Sequence, residues 1–339
     1  MTSPQTARIA FIGAGNHSTE SLYPNIPLIP EFELVAVCDV DAGRAERTAR
    51  RYGARPFADV EAMLDAVAVD GCCVCGPAEM HFQVGMQVLR RGVPLFTEKP
   101  PAPSLGEAIQ LAEAAAAHKT WGMVAFMKRF APANVLAKEF MASEAFGSLS
   151  SLTLMHGCGP YQDLRRMLYF NGIHMIDLGR FLGGDVERLV AYAADGGQGN
   201  FGVAMAGRLK NGAVIQLNQN SGHTWQDCYE AVYISGAQAG ICIDASREVE
   251  VMHPGARFAK GEGLALFGFQ ARHAVSGNMA GWHAGGHYQR GYWGELSQFA
   301  QACLGRAEPS PSLEDGVKAV QIIEAILDSA RTGREVVTA

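Results

Sequence analysis

The sequence predicts an α/β chain of two domains: a doubly wound parallel sheet first, then an α+β domain built on a large, open, mainly antiparallel sheet. Three observations predict it. Roughly the first 125 residues alternate short apolar runs with segments of helical period. From about residue 148 the texture becomes a succession of strand-like runs joined by turn residues. A glycine-rich turn directly after the first strand marks the kind of edge at which parallel sheets bind ligands.

The early strands are read at "RIAFIG", "ELVAVCDV", "DGCCVCG", "VPLFTE" and "WGMVAFM". Between them lie "DAGRAERTARRYG", "DVEAMLDA", "MHFQVGMQVLRRG" and "SLGEAIQLAEAAAAHK", helical by their period near 3.6 and closed by Gly53 and Gly92. Repeated strand–helix–strand units mean a parallel sheet covered on both faces. The later strands are "SLSSLTLMH", "VERLVAYAA", "FGVAMAGRLKNGAVIQLNQNSG", "YEAVYISGAQAGICIDA" and "REVEVMH". Asn211-Gly212 reads as a two-residue hairpin turn and "SGAQAG" as a looser one. A helix holding "NGIHMIDLGRFLGG" precedes most of these strands, and helices at "YWGELSQFAQACLG" and "LEDGVKAVQIIEAILDSA" follow them. The aperiodic, glycine-rich stretch from Phe258 to Gly286 is read as a long loop. The domains are placed at 1–127 and 128–339, with the C-terminal helix near 312–331 packing back on the first.

The chain has 339 residues, 48% of them hydrophobic and 18% charged, with a formal net charge of −6. That is a globular composition, and its acidic balance argues against a nucleic-acid or anionic-membrane partner. No segment approaches the ~20 apolar residues of a membrane span, and no leader pattern opens the chain, so a cytoplasmic protein is expected. Cys72, Cys73 and Cys75 lie in a strand-like run without paired zinc spacing and read as small buried hydrophobes. The other five cysteines are scattered and form no ligand set.

"IAFIGAGNHS" supplies Gly13-x-Gly15-x-x-Ser18 after the first strand, and Asp39 ends the second. Gly13 permits the tight turn, Gly15 lets the backbone approach a pyrophosphate, and the turn with Asn16 and His17 opens toward a helix N-terminus. Asp39 would accept from the adenosine ribose hydroxyls and repel a 2′-phosphate. NAD rather than NADP is therefore the expected cofactor of this Rossmann-type domain, on the strand–turn–helix context that gives the fingerprint its meaning.

With these features in place the chain resembles the glucose–fructose oxidoreductase and inositol dehydrogenase (Gfo/Idh/MocA) family over essentially its whole length. The resemblance is carried by "GAGNHS", "AVCDVDAGRAERTARRYG", "CGPAEMH", "LFTEKPPAPSLGEAIQLAEAA", "FMKRFAPANVLAKEF", "FGSLSSL", "GIHMIDLGRFLGG" and "EPSPSLEDGVKAVQIIEAI". It implies that Lys99 of the Glu98-Lys99-Pro100 tripeptide reaches the nicotinamide ribose and the reacting hydroxyl, with Glu98 and Pro100 holding the turn. The Lys99–Pro100 peptide is expected to be cis. Pro77 and His81 match a segment that lines the dinucleotide, with Gly76 standing where a hydroxyl residue is usual.

The family commonly carries an aspartate four residues before a catalytic histidine. Here the histidine is His174 and that position holds Phe170, with Asn171 and Asp177 as the nearby polar groups. Asp177 also matches the family, as a mainly structural residue. Lys128 and Arg129 are candidates for an anionic or polyhydroxylated substrate, and Trp282 for stacking on a sugar face, with His283, His287 and Tyr288 beside it. No metal is expected, since the two histidines lack a carboxylate or cysteine set. Gln216, Asn218 and Asn220, with Tyr229 and Tyr233 on a neighbouring strand, suggest a wet sheet face through which the chain forms a homodimer or homotetramer. The function implied is an NAD-dependent oxidoreductase of a secondary alcohol on a carbohydrate-like small molecule. The alternatives are an NAD-dependent glycoside hydrolase of the same fold and a non-catalytic NAD-responsive binding protein.

Overall fold

Short, almost wholly buried strands build the first sheet. The computed structural model describes residues 6–225, 228–253, 269–274, 288 and 290–338. Strands β1 (Ala7–Ile12), β2 (Phe32–Cys38), β3 (Arg55–Phe57), β4 (Gly71–Val74), β5 (Leu95–Thr97) and β6 (Gly122–Val124) run in the order β3-β2-β1-β4-β5-β6. Every pair is parallel. The order reverses between β1 and β4, the point beyond whose carboxyl ends such sheets bind ligands. Cys72 and Cys73 are fully buried in β4 and carry no disulfide, as read from the sequence. β3 was not expected: three residues with a central proline give no periodicity, and an edge strand is where proline is tolerated.

The described chain divides into two units, one of residues 1–127 and 281–320, the other of residues 128–280 and 321–339. In the first unit the helix Tyr292–Cys303 closes on β4, where a Cβ on Gly71 would lie 2.7 Å from the Phe299 ring. The helix Leu313–Thr332 begins in this unit, with Gly316 close against Val124 and Pro101. Its second half groups with the other unit, where the Ser329 hydroxyl accepts from Ala191 N at 2.9 Å.

The second sheet contains β7 (Leu149–Gly157), β8 (Val186–Asp195), β9 (Phe201–Leu209), β10 (Val214–Asn220), β11 (Tyr229–Gly236), β12 (Gly240–Asp244), β13 (Glu248–His253), β14 (Phe269–Ala274) and β15 (Val336–Val337). Their order is β14-β13-β12-β11-β7-β10-β9-β8-β15, and only β7 and β10 pair in parallel. β14 lies inside the stretch read as loop, a correction: its residues "FQARHA" show too little alternation to stand out among the glycines. The helix Ile173–Gly183 lies on one face. Its Gly179 approaches Leu154 and Ile215, and its Gly183 approaches Leu209. Gln216 and Asn218 on the opposite face are exposed, while Tyr229 and Tyr233 stand on β11, separated from β10 by β7.

The two hairpin turns exchange their expected tightness. Leu209 N bonds Ala213 O, so the β9–β10 loop is Lys210, Asn211 and Gly212, with Gly212 at φ +91°. That is the three-residue type whose last residue is left-handed. Gly236 N bonds Ala239 O, leaving only Ala237 and Gln238 between β11 and β12. A further correction concerns the scattered cysteines: Cys158 and Cys228 are joined as a disulfide, their Cα atoms 4.8 Å apart. Seventy residues separate them in sequence, so no local spacing announced the pair.

Candidate active site

Two turns at the carboxyl end of the first sheet hold the residues expected to face a cofactor. In the first, Gly13 has φ +107°, and a Cβ there would fall 1.9 Å from Cys75 O. Any side chain is therefore excluded. Gly15 has nothing within 4 Å of such a Cβ, so its backbone faces open space, with Asn16 and His17 exposed beside it. Asp39 is buried; its Oδ2 accepts from Ala14 N at 2.8 Å and its Oδ1 from Asp41 N at 2.9 Å. Those bonds fix the carboxylate against the glycine turn, and an ionised carboxylate retains lone pairs for a ribose hydroxyl. The open backbone at Gly15 with an acid at the end of β2 fits a dinucleotide. The helix expected after the turn is irregular, π-helical over Ser18–Leu22 and 3₁₀ over Tyr23–Leu28, because Pro24 and Pro27 deny it a regular bonding ladder.

The second turn follows β5. The Lys99–Pro100 peptide is cis, as expected. Glu98 is buried, its Oε2 accepts from Lys99 N at 2.9 Å and its Oε1 bonds His17 Nε2 at 2.9 Å. Burial alone would raise the Glu98 carboxyl. The charge and hydrogen bond of His17, helped by Lys99, hold it instead below the usual carboxylate range. His17 thus links the glycine turn to the Glu98-Lys99-Pro100 turn, a connection the sequence does not announce because 81 residues separate the partners.

His81 corrects the expectation of a cofactor contact. It is fully buried, Nε2 accepts from Gly76 N at 3.0 Å and Nδ1 donates to Pro100 O at 2.8 Å. Burial keeps its pKa below the ordinary imidazole value, against the opposing pull of the Pro100 carbonyl. A neutral ring with one donor and one acceptor nitrogen matches those partners. His81 therefore fastens two turns together from beneath. Gly76 and Pro77 are exposed above it. A Cβ on Gly76 would meet Met80 Sδ at 2.3 Å, so Met80 fills the space of the hydroxyl residue usual at that position.

Glu295 escaped the sequence reading, which saw only one polar residue in a helical run. It is fully buried and neither carboxyl oxygen has a hydrogen-bond partner. Burial first, and then the charge of Glu98, push its pKa well above the carboxylate range, with Lys99 opposing. The pair therefore holds one proton: Glu98 is ionised and Glu295 neutral.

In the second unit His174 is buried near the start of the helix Ile173–Gly183. The chain before it is π-helical over Leu168–Gly172. Phe170 is 41% exposed, with the Arg166 guanidinium 5.0 Å from its ring centroid. The chain between positions 170 and 174 is thus not a regular α-helix, and Phe170 is exposed where His174 is buried. Asn171 is half-buried and lies beside the Tyr161 hydroxyl.

The substrate-side cations are also corrected. Lys128 is buried in an ion pair with Glu230, whose other oxygen accepts from the Ser246 hydroxyl. Arg129 forks onto Asp177, Nε to Oδ2 at 2.8 Å and a terminal nitrogen to Oδ1 at 2.6 Å, with Asp177 buried. Both charges are spent inside the unit, Arg129 as a clamp between the turn after β6 and the His174 helix. Trp282, His283 and His287 lie outside the described residues; Tyr288 is exposed.

Comparison with known proteins agrees with this geometry. Residues 7–126 match the NAD-binding Rossmann fold of an oxidoreductase family, and residues 167–338 match the C-terminal α/β domain of the same family. The chain is 26% identical over 330 residues to the inositol 2-dehydrogenase of Rubrobacter xylanophilus, covering 95% of this chain and 89% of that protein. It is 29% identical over 196 residues to the D-glucoside 3-dehydrogenase of Escherichia coli, 52% of this chain and 53% of that one. With several other curated relatives, too, the chain spans about half of their length. A dehydrogenase structure from Chromobacterium violaceum superposes with a TM-score of 0.85 at 22% identity, over 97% of each chain, which bears on the fold. Among the described residues no helix is long and apolar enough to cross a membrane. With the NAD-binding and C-terminal models matched in order along it, the chain belongs to the Gfo/Idh/MocA family of oxidoreductases.

Proposed function

We propose that this chain is an NAD-dependent dehydrogenase that oxidises a secondary alcohol of a sugar, polyol or related small molecule. The observation that carries the reading is the Glu98-Lys99-Pro100 turn, fastened by His17 to the glycine turn and by His81 to the end of β4. Such bracing sets a lysine at the ligand-binding edge of a parallel sheet and restrains its backbone. When bound, NAD supplies the hydride acceptor. Lys99 and His174 are the groups we assign to the hydroxyl proton, with Glu98 supporting Lys99. The names of the relatives, an inositol and a glucoside dehydrogenase, support a polyhydroxylated substrate.

An absorbance screen for NADH over polyols, inositols, sugars and glycosides tests the reading. Net NADH from at least one of them is expected, abolished in Lys99→Ala while NAD binding persists. Cleavage of aryl glycosides without net NADH, or ligand binding with neither signal, overturns it.

A further inference from the structure

We propose that the second unit carries a sugar subsite walled by Trp225, so that the preferred substrate is a glycoside with a second ring or an aromatic aglycone rather than a free monosaccharide. The proposal rests on the dehydrogenase reading above and deepens it. A cavity of about 820 Å³ opens at the ends of β7 and β10, lined among others by Pro160, Asn200, Ser221, His223, Thr224 and Trp225. That volume falls within the ~300–1,000 Å³ of small-molecule sites, and because the depression is broadly open to solvent it admits more than one pyranose ring.

The chemistry of the walls selects among ligands. None of the described residues lining the cavity is Asp, Glu, Lys or Arg; the side-chain polar groups are amides, hydroxyls and one imidazole. A neutral ligand rich in hydroxyls matches such walls, whereas a phosphate or carboxylate would find no counter-charge. Trp225 remains 52% exposed, a large apolar surface left uncovered in a concave place. The Tyr161 ring braces it edge-on, centroids 5.0 Å apart at 64°. A braced indole with free surface suits the C–H face of a sugar or an aryl group, while the surrounding polar groups meet hydroxyls.

Tyr161 also joins the cavity to the candidate catalytic helix. Its backbone N–H donates to Gly199 O at 3.1 Å, beside the lining residues Gln198 and Asn200. Its hydroxyl is buried near Asn171, three residues before His174, without a hydrogen bond to it. A ligand seated against Trp225 is thus one side chain away from the chain segment that leads into His174.

The test compares wild type, Trp225→Ala and Trp225→Phe with glucose, cellobiose and phenyl glucoside in the presence of NAD. The wild type is expected to favour cellobiose or phenyl glucoside over glucose in kcat/KM. Trp225→Ala should lower that preference about tenfold, mainly through KM, as truncating a buried aromatic anchor does. Trp225→Phe should keep most of it. A wild type that favours glucose, or an unchanged preference in Trp225→Ala, overturns the subsite. Calorimetric titration of cellobiose into the NAD-loaded protein separates the two proposals. Binding weakened about tenfold by Trp225→Ala, with no NADH from any sugar, would sink the dehydrogenase reading and keep the subsite. Equal binding to both proteins sinks the subsite whatever the turnover.

Discussion

At the scale of single residues, the cofactor edge turns on atoms that have no alternative. Gly13→Ala would put a methyl carbon into the Cys75 carbonyl at a positive φ, two penalties that together should exceed about 2 kcal/mol of stability. Urea denaturation of the variant measures it; a loss under about 0.5 kcal/mol would mean that the turn moves freely. Gly13, Gly15 and Asp39 could be singled out from a local spacing, and Lys99 only from the resemblance to the family. Glu295 was not, because its protonation follows from burial beside Glu98, and both are products of tertiary packing. Its raised pKa has a signed consequence. The unfolded chain releases this proton near 4.5, whereas the folded protein keeps it to higher pH. The stability that goes with the proton is complete below the unfolded value and is lost as pH rises toward the folded one. Glu295→Gln, permanently neutral, should therefore gain on the wild type by about 1.4 kcal/mol per pH unit above that point, until the folded pKa is reached. Denaturation midpoints of both proteins from pH 5 to about pH 9 would show it, and a pH-independent difference would contradict a buried neutral acid.

At the scale of elements, the segment around His174 shows where sequence spacing misleads. A histidine on a helix with a residue four before it invites an i, i+4 reading, but the turn of Leu168–Gly172 is π-helical, and a one-residue widening of that kind leaves no signature in the residue types. Because Phe170 is exposed while His174 is buried, Phe170→Asp should leave the pH-rate profile unchanged. The new carboxylate would stand next to Arg166 at the surface, worth about 0.3 kcal/mol at most. A shift of the acidic limb would show that position 170 does face the imidazole. Strands β7 to β13 of the second sheet, by contrast, were legible from alternation, while β14, β15 and the lengths of the turns were not, since the loop length of a hairpin depends on which residues bond across its neck. The Arg129–Asp177 fork is the other device of this scale. With the aspartate buried, Arg129→Ala removes its bidentate partner and leaves it to the buried Arg180 at 3.8 Å, so the loss should lie at the low end of about 3–5 kcal/mol. Arg129→Lys should recover only part of it, because an ammonium cannot span both oxygens. Replacing both partners by methionine also takes a carboxylate from Arg180, which keeps Asp185, so it should be milder than Arg129→Ala, and a larger loss in thermal denaturation would show that the fork is not the source of the effect.

Over the whole molecule, the order of the first sheet points to where a dinucleotide would enter, and we assign the choice between NAD and NADP to the residue at the end of β2. That much followed from the sequence, because strand, glycine turn and acid recur at a spacing set by backbone geometry. What did not follow were the bridges from His17 to Glu98 and from His81 to Pro100, which join segments far apart in the chain and carry no motif of their own. Asp39 is fixed by two backbone N–H groups, and among the described residues no cation pairs with its carboxylate to offset the repulsion of a 2′-phosphate. NAD binding to the folded protein alone should raise its stability by RT ln(1 + [L]/Kd), about 2.7 kcal/mol at a hundredfold excess over Kd. The thermal midpoint should therefore climb with NAD and far less with NADP at equal concentration. Asp39→Ala should narrow that gap from both sides, by losing a ribose acceptor and by removing the repulsion, although it also frees Ala14 N and loosens the glycine turn. Asp39→Asn comes closer to separating these effects, since its amide oxygen can still accept from Ala14 N without carrying charge, although its amide nitrogen cannot accept from Asp41 N. If Asp39→Asn keeps the full preference for NAD, the discrimination lies elsewhere in the site and the assignment of Asp39 fails.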